Sequence, residues 1–537
     1  LVEESFIPAG FNQTAIGEGV YATYDETAWI GESTLSYNDE IGDHTINALL
    51  GHTLQESISN FSDLTGQGYA SNNNPPVSTA ATTVGTSSFT SFGFQSFFSR
   101  LNYAYKSKYL VSLSLRADGS SRFGKNNRYG VFPAVSLGWR VSEEGFMDFA
   151  KTVVSNLKFR ASYGVTGNAE IGNFTYRNGY ALSASYNNTP GIAPSSLGNP
   201  NLTWEQTAQL NLGIDLGLFD DRVNIVADYF VKNTTDILLG RDIPGTLGFT
   251  SITDNFGEIE NRGVELGINA DVIKLENGFT WNTNFNYTHV KNEVVNVLNN
   301  GQIISRNFVI LEGEELSQLN LIRFLGVDPL TGDAKFEDLN GDGLINLADR
   351  QAVGSGLPTD FAGWTNRFSY KGFSLEVFFQ YSGGNKIFNQ SRFAYENYGS
   401  LQDGIPFGNQ SVRSLNYWRQ PGDITDIPRP SLVTANDTDA QYQRFSTQYL
   451  EDGDFLRLKN VMLAYNFPSS VTDKLKLASL RIYAQGRNLV TWTNYTGFDP
   501  EVSTNTASQG DLNAQQGEDF GTLGQARTFT FGINIGL

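Results

Sequence analysis

The sequence predicts an all-β fold, a transmembrane antiparallel β-barrel with long extracellular loops, and three observations carry that reading. Apolar and polar residues alternate with a period of two through most of the chain. The alternating stretches are about ten residues long, matching the roughly 9–11 that a tilted strand needs to cross a bilayer rather than the 5–6 usual in globular proteins. The connections alternate short with long, as in barrels with short periplasmic turns and long outer loops. A soluble sandwich would also alternate, because alternation says only that one face is buried. The rhythm of the connections separates the two.

In chain order, the first strand is expected near 27–37, running towards the periplasm. Tyr109, Val111, Leu113 and Leu115 then alternate with Ser112, Ser114 and Arg116. Ala208, Leu210, Leu212, Ile214 and Leu216 oppose Gln209, Asn211, Gly213 and Asp215, and Val264, Leu266, Ile268 and Ala270 oppose Glu265, Gly267, Asn269 and Asp271. Trp281, Phe285 and Tyr287 alternate with Asn282, Asn284 and Asn286. The last strand is the cleanest, with Phe529, Phe531, Ile533, Ile535 and Leu537 on one face and Thr528, Thr530, Gly532, Asn534 and Gly536 on the other. Trp281, Tyr229, Tyr287 and Tyr465 suit the aromatic girdles at the two interfaces.

With the C-terminus on the periplasmic side, the short turns fall at 106–107, 143–155, 219–221, 275–278, 312–317, 371–372 and 468–479. The long loops fall at 57–91, 166–201, 238–256, 327–360, 383–452 and 490–525. Two of the lower turns, 142–155 and 471–479, are expected to hold short helices that plug the turn, the first on the spacing of Phe146, Phe149 and Val153. The count comes to about 17 strands, an odd set. Lipid offers an open sheet edge no hydrogen-bond partner, at several kcal/mol per group, so a barrel must close. Either the count is off or further strands precede Leu1, and Leu1-Val2-Glu3-Glu4 reads as the interior of a longer chain.

Composition removes several function classes. Across 537 residues, 37 basic and 56 acidic side chains leave a net charge of −19. This argues against a nucleic-acid surface, which needs clustered Lys and Arg. The absence of Cys removes disulfides, thiolate nucleophiles and iron–sulfur ligation, and three His (His44, His52, His289) leave little for zinc or Ser-His-Asp chemistry. A hydrophobic fraction of 39% is too low for a bundle of membrane helices, and no run approaches the roughly 18 apolar residues of a helical span.

The most specific local motif is 338–349. Asp338, Asn340, Asp342, the Leu344 carbonyl, Asn346 and Asp349 occupy positions 1, 3, 5, 7, 9 and 12 of a calcium loop, with Gly343 at the sharp turn. Asp in place of Glu at position 12 shortens the reach of the last ligand. An Asn/Asp/Gly turn bonded to its own backbone is the alternative, and Ca2+ is the expected cofactor, stiffening an outer loop. In the longest connection Tyr395, Tyr398, Tyr417, Trp418 and Tyr442 either stack on a sugar or peptide or pack the loop itself. Glu451, Asp452 and Asp454 could in principle pair for glycoside hydrolysis, but exposed acidic loops are common and nothing in the spacing sets their separation.

Several segments resemble one family in order. They are Phe97-Phe98-Ser99-Arg100-Leu101-Asn102-Tyr103, Arg116-Ala117-Asp118-Gly119-Ser120-Ser121-Arg122-Phe123-Gly124 and Phe132-Pro133-Ala134-Val135-Ser136-Leu137-Gly138-Trp139-Arg140. Asn261-Arg262-Gly263-Val264-Glu265, the 338–349 loop, Phe455-Leu456-Arg457-Leu458-Lys459-Asn460 and Tyr495-Thr496-Gly497-Phe498-Asp499-Pro500 follow. Together they resemble the SusC-like (SusC/RagA) TonB-dependent outer-membrane transporters of Bacteroidetes. The resemblance implies a barrel of about 22 strands around a plug. Residues 1–537 would be its C-terminal part, with the plug and first strands outside this chain. It also implies active import of a hydrophilic nutrient, oligosaccharide or peptide, under a SusD-like surface lipoprotein lid. A TonB-ExbB-ExbD complex would pull on the plug, no bond would be broken, and the N-terminal portion of the barrel and outer-membrane lipopolysaccharide would be the other partners. A passive porin or secretion pore, or an adhesive surface barrel without transport, are the rival readings.

Overall fold

The computed structural model describes residues 2–7, 17–73, 76–187, 189–297, 301–305, 307–396, 410–430, 445–501 and 514–537. Sixteen strands form one sheet in sequence order. They are β1 (Val2–Ile7), β2 (Glu18–Ile41), β3 (His44–Gln67), β4 (Thr82–Tyr105), β5 (Tyr109–Ser120), β6 (Tyr129–Arg140), β7 (Val154–Asn168) and β8 (Glu205–Leu218). The second half comprises β9 (Val223–Thr235), β10 (Glu258–Lys274), β11 (Thr280–Asn296), β12 (Asp360–Tyr370), β13 (Phe373–Gly383), β14 (Phe455–Asn466), β15 (Ser479–Thr493) and β16 (Thr528–Gly536). From β1 to β5 and from β10 to β16 neighbours run antiparallel.

Local chemistry explains the tight ends. Tyr370 pairs with Phe373 across Lys371 (φ 45°) and Gly372 (φ 90°), the double left-handed geometry of a two-residue hairpin turn whose twist matches the strands. Between β2 and β3 Gly42 alone takes a left-handed conformation (φ 61°), bringing Ile41 opposite His44. Among the described residues no helix is long and apolar enough to cross a membrane.

Contacts divide the chain into two units, Leu1–Leu137 with Ser162–Ala208 and Thr234–Phe256, and Gly138–Ala161 with Gln209–Asn233 and Gly257–Leu537. In the first, Phe123, Phe132, Ala169, Leu202 and Trp204 build a core where the long loops meet the strands, and the Trp204 indole N–H donates to the Arg128 carbonyl at 3.0 Å. At its short-turn end His44 packs against Tyr103 and Tyr105. In the second, Trp281 stacks on Phe368 and Phe373 packs on Tyr465 at the same end of their strands, as an interfacial girdle requires. Tyr287 instead lies at the long-loop end, donating to Asp360 at 2.6 Å.

The two strand faces differ as the alternation demands. In the second unit, Leu210, Leu212 and Ile214 are 38%, 45% and 41% exposed, and Phe529, Phe531, Ile533 and Ile535 on β16 are 58–80% exposed. Such rows of exposed Leu, Ile and Phe along one face of a strand are hostile to water and natural against lipid. The other face carries charge: Arg160 on β7 bonds Asp215 on β8 at 2.8 Å and Asp228 on β9 at 3.0 Å, with Lys158 3.7 Å from Asp215.

Three expectations change. Among the described residues the wall holds sixteen strands rather than about 17, because β11 pairs directly with β12 and the 312–317 connection is no periplasmic turn. Its flanks, Phe308–Leu311 and Gln318–Ile322, join Gln302–Ser305 and Arg350–Ser355 in a separate four-stranded sheet. Gln318–Ile322 is buried on both faces, so it has no row to give to lipid. The strand placed near 27–37 is β2, and β1 precedes it. β2, β3 and β4 run 24 residues each, so pairing continues through most of the 57–91 loop. Short 3₁₀ and α turns do occupy the lower connections, but Phe146 and Phe149 are exposed there and plug nothing.

Replacing Leu212 by Arg tests which solvent meets that face. A water-facing Leu would tolerate the change, whereas a lipid-facing one near the bilayer midplane loses about 2–4 kcal/mol. The expected result is a lower midpoint for urea unfolding from lipid vesicles, with Asn211→Arg on the opposite face shifting it far less.

Candidate functional site

The long loops of the second unit are folded together. The loop after β11 contributes the four-stranded sheet and the hairpin Phe324–Val327 with Ala334–Phe336. The loop after β13 contributes Lys386–Asn389, the helix Gln390–Tyr395 and Leu450–Asp452, and the loop after β15 contributes Glu518–Asp519. The last strands pair as a three-stranded sheet, so the second and third loops share one ladder. Phe308, Leu319, Leu321, Phe388 and Tyr449 form a core drawn from the first two loops. Burying this apolar surface is what holds the described parts of these loops together.

Buried charges complete the weld. Glu396, fully buried, accepts from Arg392 at 3.1 Å and from Arg413 at 2.9 Å. Arg392 also reaches Glu451 at 2.8 Å, and Glu451 accepts from the Thr496 amide at 2.7 Å. Burial works against the Arg392 charge, but Glu451 and Glu396 raise its pKa overall. Buried Glu518 accepts from Asn307 at 2.7 Å. Tyr495 donates to Asp519 at 2.6 Å; burial first, then that bond, push its hydroxyl far above the usual range, keeping it a donor.

A second knot ties the last loop to the wall. Arg457 on β14 is 0% exposed and bonds Asp499, Glu501 at 2.6 Å and Thr491 at 3.0 Å. Lys459 reaches the same Glu501 carboxylate at 2.9 Å, and Gln380 donates to it at 3.1 Å. Burial pushes the Asp499 carboxyl up, but amides of Gln525 and Glu501 and the Arg457 guanidinium outweigh it and hold the pKa below the usual carboxylate range. Beside the knot lies a cavity of about 250 Å³, lined by Phe361, Gln380, Ser382, Asn385, Phe455 and Glu501 among others. Its amides, carboxylate and aromatic faces suit a polar, uncharged or cationic small group, and the Asn385 carbonyl oxygen there is buried without a protein partner.

The residues expected from sequence fall as follows. In the 338–349 loop both Asp338 oxygens accept amides, from Gly341 at 2.7 Å and Gly343 at 2.8 Å. Asn340 accepts from Asp342, Asp342 from Leu344, and Asp349 from both Leu339 and Asn346. Gly341 and Gly343 take the left-handed φ values of 73° and 81° that the turn needs. Asn346 and Asp349 also form a capping box. Trp418 packs the loop: its indole donates to the Pro329 carbonyl at 3.0 Å and a side chain at Gly332 would run into its ring. Tyr417 carries Arg419 over its face at 5.2 Å, and Tyr395 ends the helix half exposed. Tyr398 and Tyr442 lie outside the described residues. Glu451, Asp452 and Asp454 are each engaged, by Arg392, Lys386 and the Gly384 amide. Sequence reading missed Arg457, Asp499, Glu501 and Glu396. An Arg on the polar row of a wall strand was the available signal, because such a charge needs a partner.

Arg457→Met strands the Asp499 carboxylate and leaves Glu501 with Lys459 and Gln380 alone, and removing one partner of a buried pair costs about 3–5 kcal/mol. Amide exchange at Tyr495–Glu501 is expected to accelerate strongly while the strands keep their protection. Asp499, with its folded pKa depressed, contributes stability that is complete above pH ~4 and lost only as pH falls through the folded value. The gap in melting temperature between the native chain and Asp499→Asn should therefore be constant from pH 7 to 5 and narrow below 4.

The family model described as TonB dependent receptor-like, beta-barrel, matches residues 7–489. The TonB-dependent receptor P3 of Formosa agariphila is 32% identical over 551 residues, spanning 97% of this chain and 53% of that protein. The TonB-dependent receptor SusC of Bacteroides thetaiotaomicron is 28% identical over 467 residues, spanning 82% of this chain and 43% of SusC. The solved RagAB peptide transporter superposes with a TM-score of 0.86 at 25% identity, covering 99% of this chain and 58% of that one. The chain thus spans about half the length of the curated relatives it matches. With strands, alternating faces and most of its length accounted for by one family model, the chain belongs to the TonB-dependent receptor-like β-barrel family of the outer membrane.

Proposed function

We propose that this chain is the wall and outer mouth of a TonB-dependent importer that carries a hydrophilic nutrient, an oligosaccharide or a peptide, across the outer membrane. The observation that supports this most is the match along nearly its whole length to the RagAB peptide transporter. In this reading residues 1–537 are the C-terminal part of the barrel, and the plug and first strands belong to the rest of the protein. A SusD-like lipoprotein closes over the welded loops, and the TonB-ExbB-ExbD complex withdraws the plug. The acidic outer loops meet lipopolysaccharide through divalent ions. Cargo meets polar strand faces such as the Arg160–Asp215–Asp228 ladder, Tyr395 and Tyr417 offer ring faces at the mouth, and no bond is made or broken.

Uptake of labelled oligosaccharide and peptide pools by cells producing the receptor tests this. Uptake that vanishes when TonB is deleted supports the importer. Uptake that persists without TonB points to a passive pore, and surface binding without uptake points to an adhesin.

Calcium at the 338–349 loop is a separate proposal. Among the described residues no three acidic or His side chains stand together as a metal cage, so the cation would have to draw the loop's carboxylates in; each Asp338 and Asp349 oxygen that accepts one amide keeps a further lone pair for it. Ligand binding to the folded state alone adds about 2.7 kcal/mol at a hundredfold excess over Kd. Millimolar calcium should therefore raise the melting temperature by a few degrees, an effect that Asp338→Ala abolishes; an equal shift in both would overturn it.

A further inference from the structure

We propose that the first unit carries a carboxylate-binding subsite built around Arg177, which deepens the import reading above and rests on it for its physiological purpose. A cleft of about 510 Å³ opens between the loop that follows β7 and the strand Ser251–Asn255. Its lining includes Asn173, Arg177, Asn178, Ser196 and Ser251, with Arg177 the sole ionisable side chain and no carboxylate among them. In a chain with a net charge of −19, a cleft that presents cation, amides and hydroxyls but no acid is selective for an anionic group.

The Arg177 side chain is held ready. Its guanidinium lies over the rings of Phe174 at 5.6 Å and Tyr176 at 5.2 Å, and its Nε donates to the Tyr176 hydroxyl at 2.9 Å. No carboxylate pairs with it among the described residues. This contrasts with Arg122 and Arg241 nearby, which pair with Glu170 at 3.4 Å and Asp254 at 3.0 Å. Stacking fixes the plane of the fork and leaves its terminal N–H groups for a bidentate partner, the geometry that carboxylates match.

The backbone supports the same reading. Phe174 sits at φ 65°, a left-handed conformation that bulky residues rarely adopt and that only surrounding structure maintains. The Arg177 amide donates to the Phe174 carbonyl at 2.8 Å, closing the turn that brings Arg177 back over the Phe174 ring. Asn178 accepts the Gly198 amide at 3.0 Å, and any side chain at Gly198 would collide with the Arg177 backbone. The strained turn and the close approach together aim one cation at one cleft.

Two cargo types carry such a group, a uronic-acid oligosaccharide and a peptide with acidic side chains or a free C-terminus. Calorimetry on the purified receptor in detergent distinguishes them, using trigalacturonate against its methyl ester and a neutral hexapeptide with a free against an amidated C-terminus. At least one free carboxylate probe should bind, its capped counterpart should not, and the binding should weaken with salt. Arg177→Gln should weaken it about 10- to 100-fold, the range for hydrogen bonds to a charged group, and Ser251→Asp, which places an acid in the cleft, should abolish it. Failure of both probes to bind, equal binding of capped and free forms, or indifference to Arg177→Gln overturns the subsite. Import is read separately through TonB dependence: carboxylate binding without uptake removes the importer and leaves the subsite, and uptake without Arg177-dependent binding does the reverse.

Discussion

Lipid offers the backbone no hydrogen-bond partner, and most of this structure follows from that one fact. Every N–H and C=O within the bilayer must be satisfied by a neighbouring strand, so the wall is an uninterrupted succession of antiparallel ladders, up to the 24 paired residues of β2 and β3. At its tightest short-side reversals two residues suffice, as with Lys371 and Gly372 in left-handed geometry. A sheet satisfied this way sorts side chains by parity alone. Leu210, Leu212 and Ile214 go to one solvent, and Asp215, with Arg160 and Asp228, goes to the other.

The same rule pushes irregular chain outward, and there a different problem appears. Long irregular segments hold a shape only by burying something. These bury a core around Phe308, Leu321 and Phe388 and a set of charges that neutralise one another: Glu396 between Arg392 and Arg413, and Arg457 between Asp499 and Glu501. Buried ion pairs add little net stability relative to an apolar packing, yet breaking one is expensive. They therefore act as registration devices, allowing one docked arrangement of loops and penalising the others. On the import reading proposed above, a fixed mouth is the property that a closing lid would need.

Parity and turn chemistry were readable from the sequence because each depends on residues adjacent in the chain. The last strand, Phe529 to Leu537, and the 371–372 turn needed no tertiary information. The segment 302–322 misled because its short apolar runs have the same period as wall strands. Only the two-sided burial of Leu319, Leu321, Gln318 and Asn320 shows that it belongs to the mouth. The Arg457–Asp499 pair was invisible for a different reason. Its partners lie in two separate segments, Phe455 to Asn460 and Tyr495 to Pro500, each singled out for its resemblance and neither carrying any local sign of the other. Trp418 illustrates a third limit: an aromatic in a long loop reads equally as ligand platform or packing until its neighbours, Pro329 and Gly332, are known.

Because the chain contains no Cys, the alternation of lipid and polar faces can be measured directly. Single cysteines placed in turn at positions 209 to 214 of β8, labelled with a fluorophore and examined in vesicles containing brominated lipid, report which side chains touch acyl chains. The account predicts quenching with a period of two, strong at 210, 212 and 214 and weak at 209, 211 and 213. Uniform quenching, or none at any position, would contradict the membrane wall on which every later step rests.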